Sequence, residues 1–447
     1  MLPRKAVPCR FVPTTPDGTK RTVGEAFGPE LLAPEDTSMN SNEALATLDS
    51  PSTASAPSVA AATEPRARRD TRIDVLRGLV IVVILVNHVD LRSLYHVLSV
   101  EAIGVVTAAE AFVLLSGFVL GFVSRVRLQR DGFRAVVARC FRRAGTIYLA
   151  ALTVNVLVYL LGLVPSFDAR VLTSYTDKST GVVYSLYDAA SPAHLALGLV
   201  TLKFGPGQIN VLGLYVALLL LAPLALWSLR RGRWWLLLAL SWSVFALGHL
   251  HLSRLLPSQS ENAFPLELWQ VLFVHGLAAG YERRRLATFA RSSAGRVLLA
   301  FTVVAFAVLC FFALNNPWVD VPGGLRMHFI PEGAYGRVYG ALFERRELGL
   351  GRALNTMVVV VVLYLALTRL RGPALRAAER VLVPLGQATL YVFLVHVLLV
   401  LLVAQFGFAS RSPGWSSTLV NTFVHTAVIA VIWWMVRAKF LFGLIPR

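Results

Sequence analysis

Ten runs of about 20 mostly apolar residues dominate this sequence, near 74–92, 102–124, 144–164, 209–228, 233–250, 264–281, 294–314, 350–369, 384–404 and 417–436. An α-helix rising 1.5 Å per residue needs about that length to cross the hydrocarbon core of a bilayer. Of the 447 residues, 56% are hydrophobic and only 15% charged, a balance that would be unusual for a soluble protein. The charged residues also cluster between the runs. The chain therefore reads as an all-α polytopic membrane protein with about ten transmembrane helices. A further stretch, "SPAHLALGLVTLKF" (191–204), is too short and interrupted to span and reads as re-entrant or interfacial.

The formal charge of +18 could be mistaken for a nucleic-acid footprint, but its placement argues against a nucleic-acid partner. One set of loops is basic: Arg66 to Arg72, Arg125 to Arg143, "RRGR" at 230–233, "RRR" at 283–285, Arg369 to Arg380, and Arg437 with Lys439. The short loops of the alternate set are sparse, with Arg92, Arg254 and Arg411 one to each, and the two longest loops, 165–208 and 315–349, belong to the same set. Positive residues favour the cytoplasmic side, so ten spans with both termini cytoplasmic satisfy every short loop. Residues 1–72, rich in Ala, Ser, Thr and Pro, cannot bury enough surface to offset chain entropy. They read as a disordered N-terminal tail ahead of a membrane domain at 73–447. The tail has no apolar signal-peptide core, so the first span is expected to act as the targeting signal. Cys9, Cys140 and Cys310 lie too far apart to suggest a metal site or a disulfide framework.

Ionisable groups inside spans are costly and usually face a bundle interior or a water-filled cavity. The first span carries Arg77 near one end and His88 eleven residues on, about 16 Å along a helix. Counting residues from the span ends puts Glu110 of the second span and His396 of the ninth at nearly the depth of His88. A histidine beside a carboxylate is an arrangement for general-base chemistry, so His88 is expected to act as base with Glu110 orienting it. Arg77 suits a phosphate or carboxylate, which its planar fork of donors can grip. His396, Tyr391 and Trp269 are expected to line the cavity around this site. His249, His275 and His425 read equally well as hydrogen-bonded packing residues, and Trp234, Trp235, Trp433 and Trp434 as interfacial anchors.

Arg77 and His88, separated by ten residues, resemble the first-helix motif of the acyltransferase 3 superfamily, and "LGQATLYVFLVHVLL" (385–399) is similar to its late-helix histidine motif. A closer resemblance is to the OpgC family, associated with O-succinylation of osmoregulated periplasmic glucans. It rests on "RIDVLRGLVIVVILVNH", "AEAFVLLSGFVLGFVSRVR", "FRRAGTIYLAAL", "FGPGQINVLGLYVALLLLAPLALWSLRRG", "LELWQVLFVHGLAAG", "ERRELGLGRALNTMVVVVVLYLAL" and "PLGQATLYVFLVHVLLVLLV", in order across 72–404. The resemblance implies a multi-pass enzyme of a bacterial inner membrane that moves an acyl group, succinyl or acetyl, from acyl-CoA to a glycan hydroxyl on the far side. In that reading Arg77, with Arg142 and Arg143 at the inner end of the third span, binds the donor's phosphates, and no metal takes part. The outer-loop aromatics Tyr175, Tyr184, Tyr187, Trp318, Tyr335 and Tyr339 offer faces on which sugars stack. The alternative is a transporter or flippase using His, Glu and Arg as a proton or anion relay; no internal repeat between the halves supports it.

Overall fold

The structure, a computed structural model, describes residues 70–98, 101, 103–176, 182–250, 254–318, 326–370, 372–406 and 414–446. The predicted tail at 1–72 therefore lies almost wholly outside the described residues. The rest, Pro65–Arg447, forms one compact unit.

The described residues are almost entirely helical. In chain order they form α1 (Thr71–Val89), α2 (Ala108–Arg130), α3 (Gly132–Gly162), α4 (Arg170–Thr173), α5 (Pro192–Val200), α6 (Val211–Arg230), α7 (Trp234–Leu250) and α8 (Ser260–Ala263). Then follow α9 (Leu266–Tyr281), α10 (Arg283–Arg291), α11 (Ser293–Leu314), α12 (Glu332–Leu342), α13 (Leu350–Arg369), α14 (Pro373–Gln387), α15 (Thr389–Ala404) and α16 (Trp415–Arg437). A short antiparallel hairpin, β1 (Ser174–Thr176) with β2 (Val183–Ser185), pairs Tyr175 with Tyr184.

Nine of the ten predicted runs each fall on one helix, and the ninth falls on two. Six of them, α2, α3, α6, α11, α13 and α16, are long and apolar enough to cross a bilayer on those grounds alone. A seventh is added if α14 and α15 are taken as one broken span. The 191–204 stretch contains the nine-residue helix α5, with Ser191 capping its start and Pro192 in the first turn. That helix is too short to span. Much of α11 can be stable only in an apolar surrounding. Val297, Phe301, Val304 and Val308 are 60–70% exposed, and only 6% of its apolar window is buried within the protein.

The ninth predicted run, 384–404, is not one straight helix. Pro384 and Gln387 belong to α14, and the chain bends by 91° before continuing as α15 at Thr389. Pro384 has no N–H to give the Arg380 carbonyl, its helical acceptor. The indole Nε1 of Trp433, on α16, donates to that carbonyl instead, at 3.1 Å. The corner is held from α1: the Gln387 amide donates to Asp74 at 3.1 Å, and the Arg77 guanidinium donates to the Thr389 hydroxyl. Backbones touch here as well, because a Cβ on Gly78 would collide with the Leu382 carbonyl and one on Gly386 with that of Asp74.

The same device joins α2 to α9. Gly117 and Gly121 on α2 face Gly276 and Gly280 on α9, and a Cβ on any of the four would collide with a carbonyl of the opposite helix. Small residues four apart let helix backbones meet where lipid offers no hydrophobic drive for association. At the N-terminus of α1, Asp70 caps the helix and accepts from Arg72, Arg283 and Tyr364. Burial pushes its carboxyl up, but the hydrogen bonds from Arg72 and Tyr364 and the charges of Arg72 and Arg283 leave it below the ordinary aspartate range.

Replacing Gly276 by Leu forces α2 and α9 apart, so the variant is expected to lose most of its folded, detergent-soluble yield. Gly145→Ala, at a glycine with nothing within 4 Å of its would-be Cβ, should leave that yield unchanged. Size-exclusion chromatography of the two variants makes the comparison.

Candidate active site

His88 lies in the last turn of α1, which ends at Asp90 in the left-handed conformation (φ 50°). Its Nδ1 is 2.7 Å from Nε2 of His396 on α15, with the two rings stacked at 4.9 Å. Nδ1 of His396 is 2.6 Å from the Phe393 carbonyl. A carbonyl only accepts, so His396 carries its proton on Nδ1, and the neutral ring offers Nε2 as an acceptor. His88 must then donate from Nδ1. Its own Nε2 is left with a lone pair. This tautomer follows from the hydrogen-bond network, and it makes His88 Nε2 the basic atom of the pair.

Glu110 is not the orienting partner. It stands three residues into α2, where its carboxylate closes a capping box with the backbone N–H and hydroxyl of Thr107. Its other oxygen accepts from Arg352 of α13 at 3.0 Å. Arg352 is fully buried and also donates to Glu101 at 2.7 Å, to the Tyr339 hydroxyl at 2.9 Å and to the Phe343 carbonyl at 2.9 Å. The expected His88–Glu110 pair is therefore corrected to His88–His396. Glu110 serves an ion cluster that ties α2 to α13, because a fully buried carboxylate is drawn to the nearest guanidinium. Arg352→Met strands Glu110 and Glu101 and is expected to destabilise the fold by about 3–5 kcal/mol. Combining it with Glu110→Gln and Glu101→Gln should recover part of that loss in thermal unfolding.

Below the histidines lies a cavity of about 490 Å³ between α1, α2, α3, α6 and α15. Arg77, Arg127, Arg139, Arg142 and Arg143 all line it, and among the described lining residues there is no Asp or Glu. The three predicted donor-binding arginines thus share one cavity, joined by two that the sequence reading passed over. Their spacing carries the reason: 139, 142, 143 and 146 are i, i+3, i+4 and i+7, one face of α3. Phe112 and Phe393, stacked 5.9 Å apart, are among its lining residues. The His396 ring lies 5.2 Å from Phe393 and the His88 ring 6.4 Å from it. Neither imidazole is among the residues that line the cavity. His396 is 2% exposed, whereas His88 is only partly buried, beside the exposed Asn87 and Asp90.

Tyr391 and Trp269 do not line this cavity. Leu390 and Phe393 face it, and Tyr391, about 100° further round α15, packs edge-on against Phe442. Trp269 packs against Phe264, while Phe273, one turn along α9, reaches the cavity instead. Among the loop aromatics, Tyr335 is fully buried against Phe312 and Tyr187 donates to the Asn155 carbonyl. Tyr175, Tyr184 and Trp318 remain more than half exposed.

The chain matches the family described as OpgC protein over residues 69–440. It belongs to the OpgC family. Membership assigns it a membrane acyltransferase-type role in glucan modification. No curated protein and no solved structure matches the chain.

Five arginines line the cavity with no Asp or Glu among its described lining residues, a donor set suited to a polyphosphate. Isothermal titration with adenosine 3′,5′-diphosphate is expected to detect binding, weakened at least about tenfold by Arg139→Ala with Arg143→Ala, since a charge-assisted hydrogen bond contributes about 1.5–3 kcal/mol. Equal affinity in the double variant would remove the α3 face from the binding site.

Proposed function

We propose that this OpgC-family protein transfers an acyl group, succinyl in the reading the family favours, from cytoplasmic acyl-CoA to a hydroxyl of a glucan outside the membrane. The observation that carries the proposal is that both rings of the His88–His396 pair contact Phe393, a residue that lines the arginine-rich cavity. Arg77 to His88 is about 16 Å along α1, a distance comparable to a pantetheine arm. The phosphates would rest among Arg77, Arg127, Arg139, Arg142 and Arg143, with the thioester reaching past Phe112 and Phe393.

A hydroxyl is a weak nucleophile at neutral pH and needs a base as it attacks. His88 Nε2 takes its proton while the hydroxyl oxygen adds to the thioester carbonyl. The Nδ1–H of His88 stays bonded to His396, which keeps the ring in the useful tautomer and supports the imidazolium. The tetrahedral intermediate collapses with loss of the CoA sulfur, and the proton on His88 passes to that thiolate. The products are the glucan ester and free CoA. In this orientation the Arg77 end of α1 and both termini face the cytoplasm of a bacterial inner membrane, and ten spans complete the topology.

Purified protein in vesicles, given succinyl-CoA inside and a glucan outside, is expected to form ester-linked mass by mass spectrometry. His88→Ala should lower the rate by at least about 10², the contribution of a general base, with unchanged chromatographic behaviour. His396→Ala should retain donor binding and lose rate, because only the tautomer is released. Undiminished transfer by His88→Ala would end the mechanism. Proton-coupled uptake without ester formation would favour a transporter.

A further inference from the structure

A second cavity, of about 350 Å³, lies between the first two turns of α1 and the second half of α2. It takes no part in the transfer proposed above. α2 forms the partition between the two cavities. Phe118 and Phe122 line the second cavity alone, Ser116 and Leu120 line the larger one alone, and Val119, Val123 and Arg127 line both. Residues four apart form a row along a helix, so these are neighbouring strips of one surface, and the cavities meet along the middle strip. From α1, Arg77 also lines both. Two guanidiniums therefore stand on the boundary. The Arg127 side chain makes no hydrogen bond to a described residue.

Beyond that boundary the lining changes character. None of the α3 arginines reaches the second cavity, whose walls are apolar and aromatic around Ile73, Phe118 and Phe122. Arg283 covers the Phe122 ring at 5.1 Å and is committed to Asp70, to which it donates at 2.6 Å. Phe118 is only partly buried and makes no ring contact with a described residue, so its face is open to an occupant. Asp70 and Asp74 line the α1 side. Carboxylate oxygens accept from an amino group and repel a further phosphate. The lining thus suits a flat, uncharged ring that carries an amino group and is tethered to phosphate at the boundary.

We propose that this cavity is the nucleoside subsite for the acyl donor and holds its adenine against Phe118 and Phe122. In coenzyme A a diphosphate joins the pantetheine arm to the adenosine. With the arm in the larger cavity and the base in the second, the diphosphate falls at the boundary, where Arg77 and Arg127 stand. The proposal rests on the acyl-CoA reading and adds to it the residues that tell a nucleotide from the bare arm. Phe118 and Phe122 lie outside the larger cavity, so they act on donor affinity and not on the choice of acyl group.

The test is isothermal titration of the full chain in detergent with two probes, CoA and 4′-phosphopantetheine, which lacks the nucleoside. The unmodified protein is expected to bind CoA more tightly; equal affinity for the two probes would overturn the proposal without any variant. Phe118→Leu with Phe122→Leu keeps the lining apolar and removes both ring faces. Its CoA affinity should fall at least about fivefold, the lower end for a base stacked on an aromatic ring. Its affinity for 4′-phosphopantetheine should not change. Phe122→Trp retains a stacking face and should bind CoA as the unmodified protein does, or more tightly. An equal fall for both probes, or none for either, would overturn the nucleoside subsite and leave the donor reading standing. So would loss of co-purified phosphatidylglycerol from the double variant, seen in native mass spectra with CoA affinity intact, which marks a lipid groove. Failure of the unmodified protein to bind CoA at all would remove the acyl-CoA reading itself, and this subsite with it.

Discussion

Backbone-to-backbone contact at glycine holds α1 against α14. The hydrogen bond between His88 and His396 joins α1 to α15, but those helices meet in that register only because α14 lies directly on the first turns of α1. Gly78 and Gly386 make that approach possible, and a side-chain carbon at either would push the helices apart. Asp74 and Arg77 then engage Gln387 and Thr389 on either side of the 91° corner. In a lipid surrounding an unsatisfied polar group is expensive. The charged end of α1 and the broken backbone of the corner therefore satisfy each other.

Two polar systems with separate tasks grow from this frame. Arg352, Glu110, Glu101 and Tyr339 form a closed cluster in which the guanidinium reaches both carboxylates, a hydroxyl and a carbonyl. That cluster is structural. The histidine pair is open at one atom, His88 Nε2, and its orientation is imposed by a backbone carbonyl through His396. The arginine-lined cavity has Phe112 and Phe393, stacked on each other, in its wall. Phe393 both lines that cavity and touches the two imidazole rings.

Much of the helical architecture was legible from the apolar runs, because a period and a length suffice to specify a helix in lipid. That Arg77, His88 and His396 need polar partners was legible too, since ionisable groups inside such runs are costly. The partner of His88 was not. Residue counting could not show on which side of α2 Glu110 points. It also could not anticipate that Arg352, 242 residues away in the chain, would claim the carboxylate. Tyr391 and Trp269 were misplaced for the same reason: one residue along a helix turns a side chain by about 100°. Arg127 and Arg139 were hidden in a run of positive charge that reads most simply as a topology signal.

By itself the sequence determined the class of molecule, the positions of its helices, the family to which it belongs and the residues whose burial needs an explanation. Those properties depend on composition and short-range spacing. Only the tertiary structure decided that a histidine and not a glutamate orients His88, that five arginines share one cavity, and that the ninth run breaks at a corner. Each of these is a matter of which faces meet, and in lipid such contacts are chosen by small residues and polar pairs hundreds of positions apart.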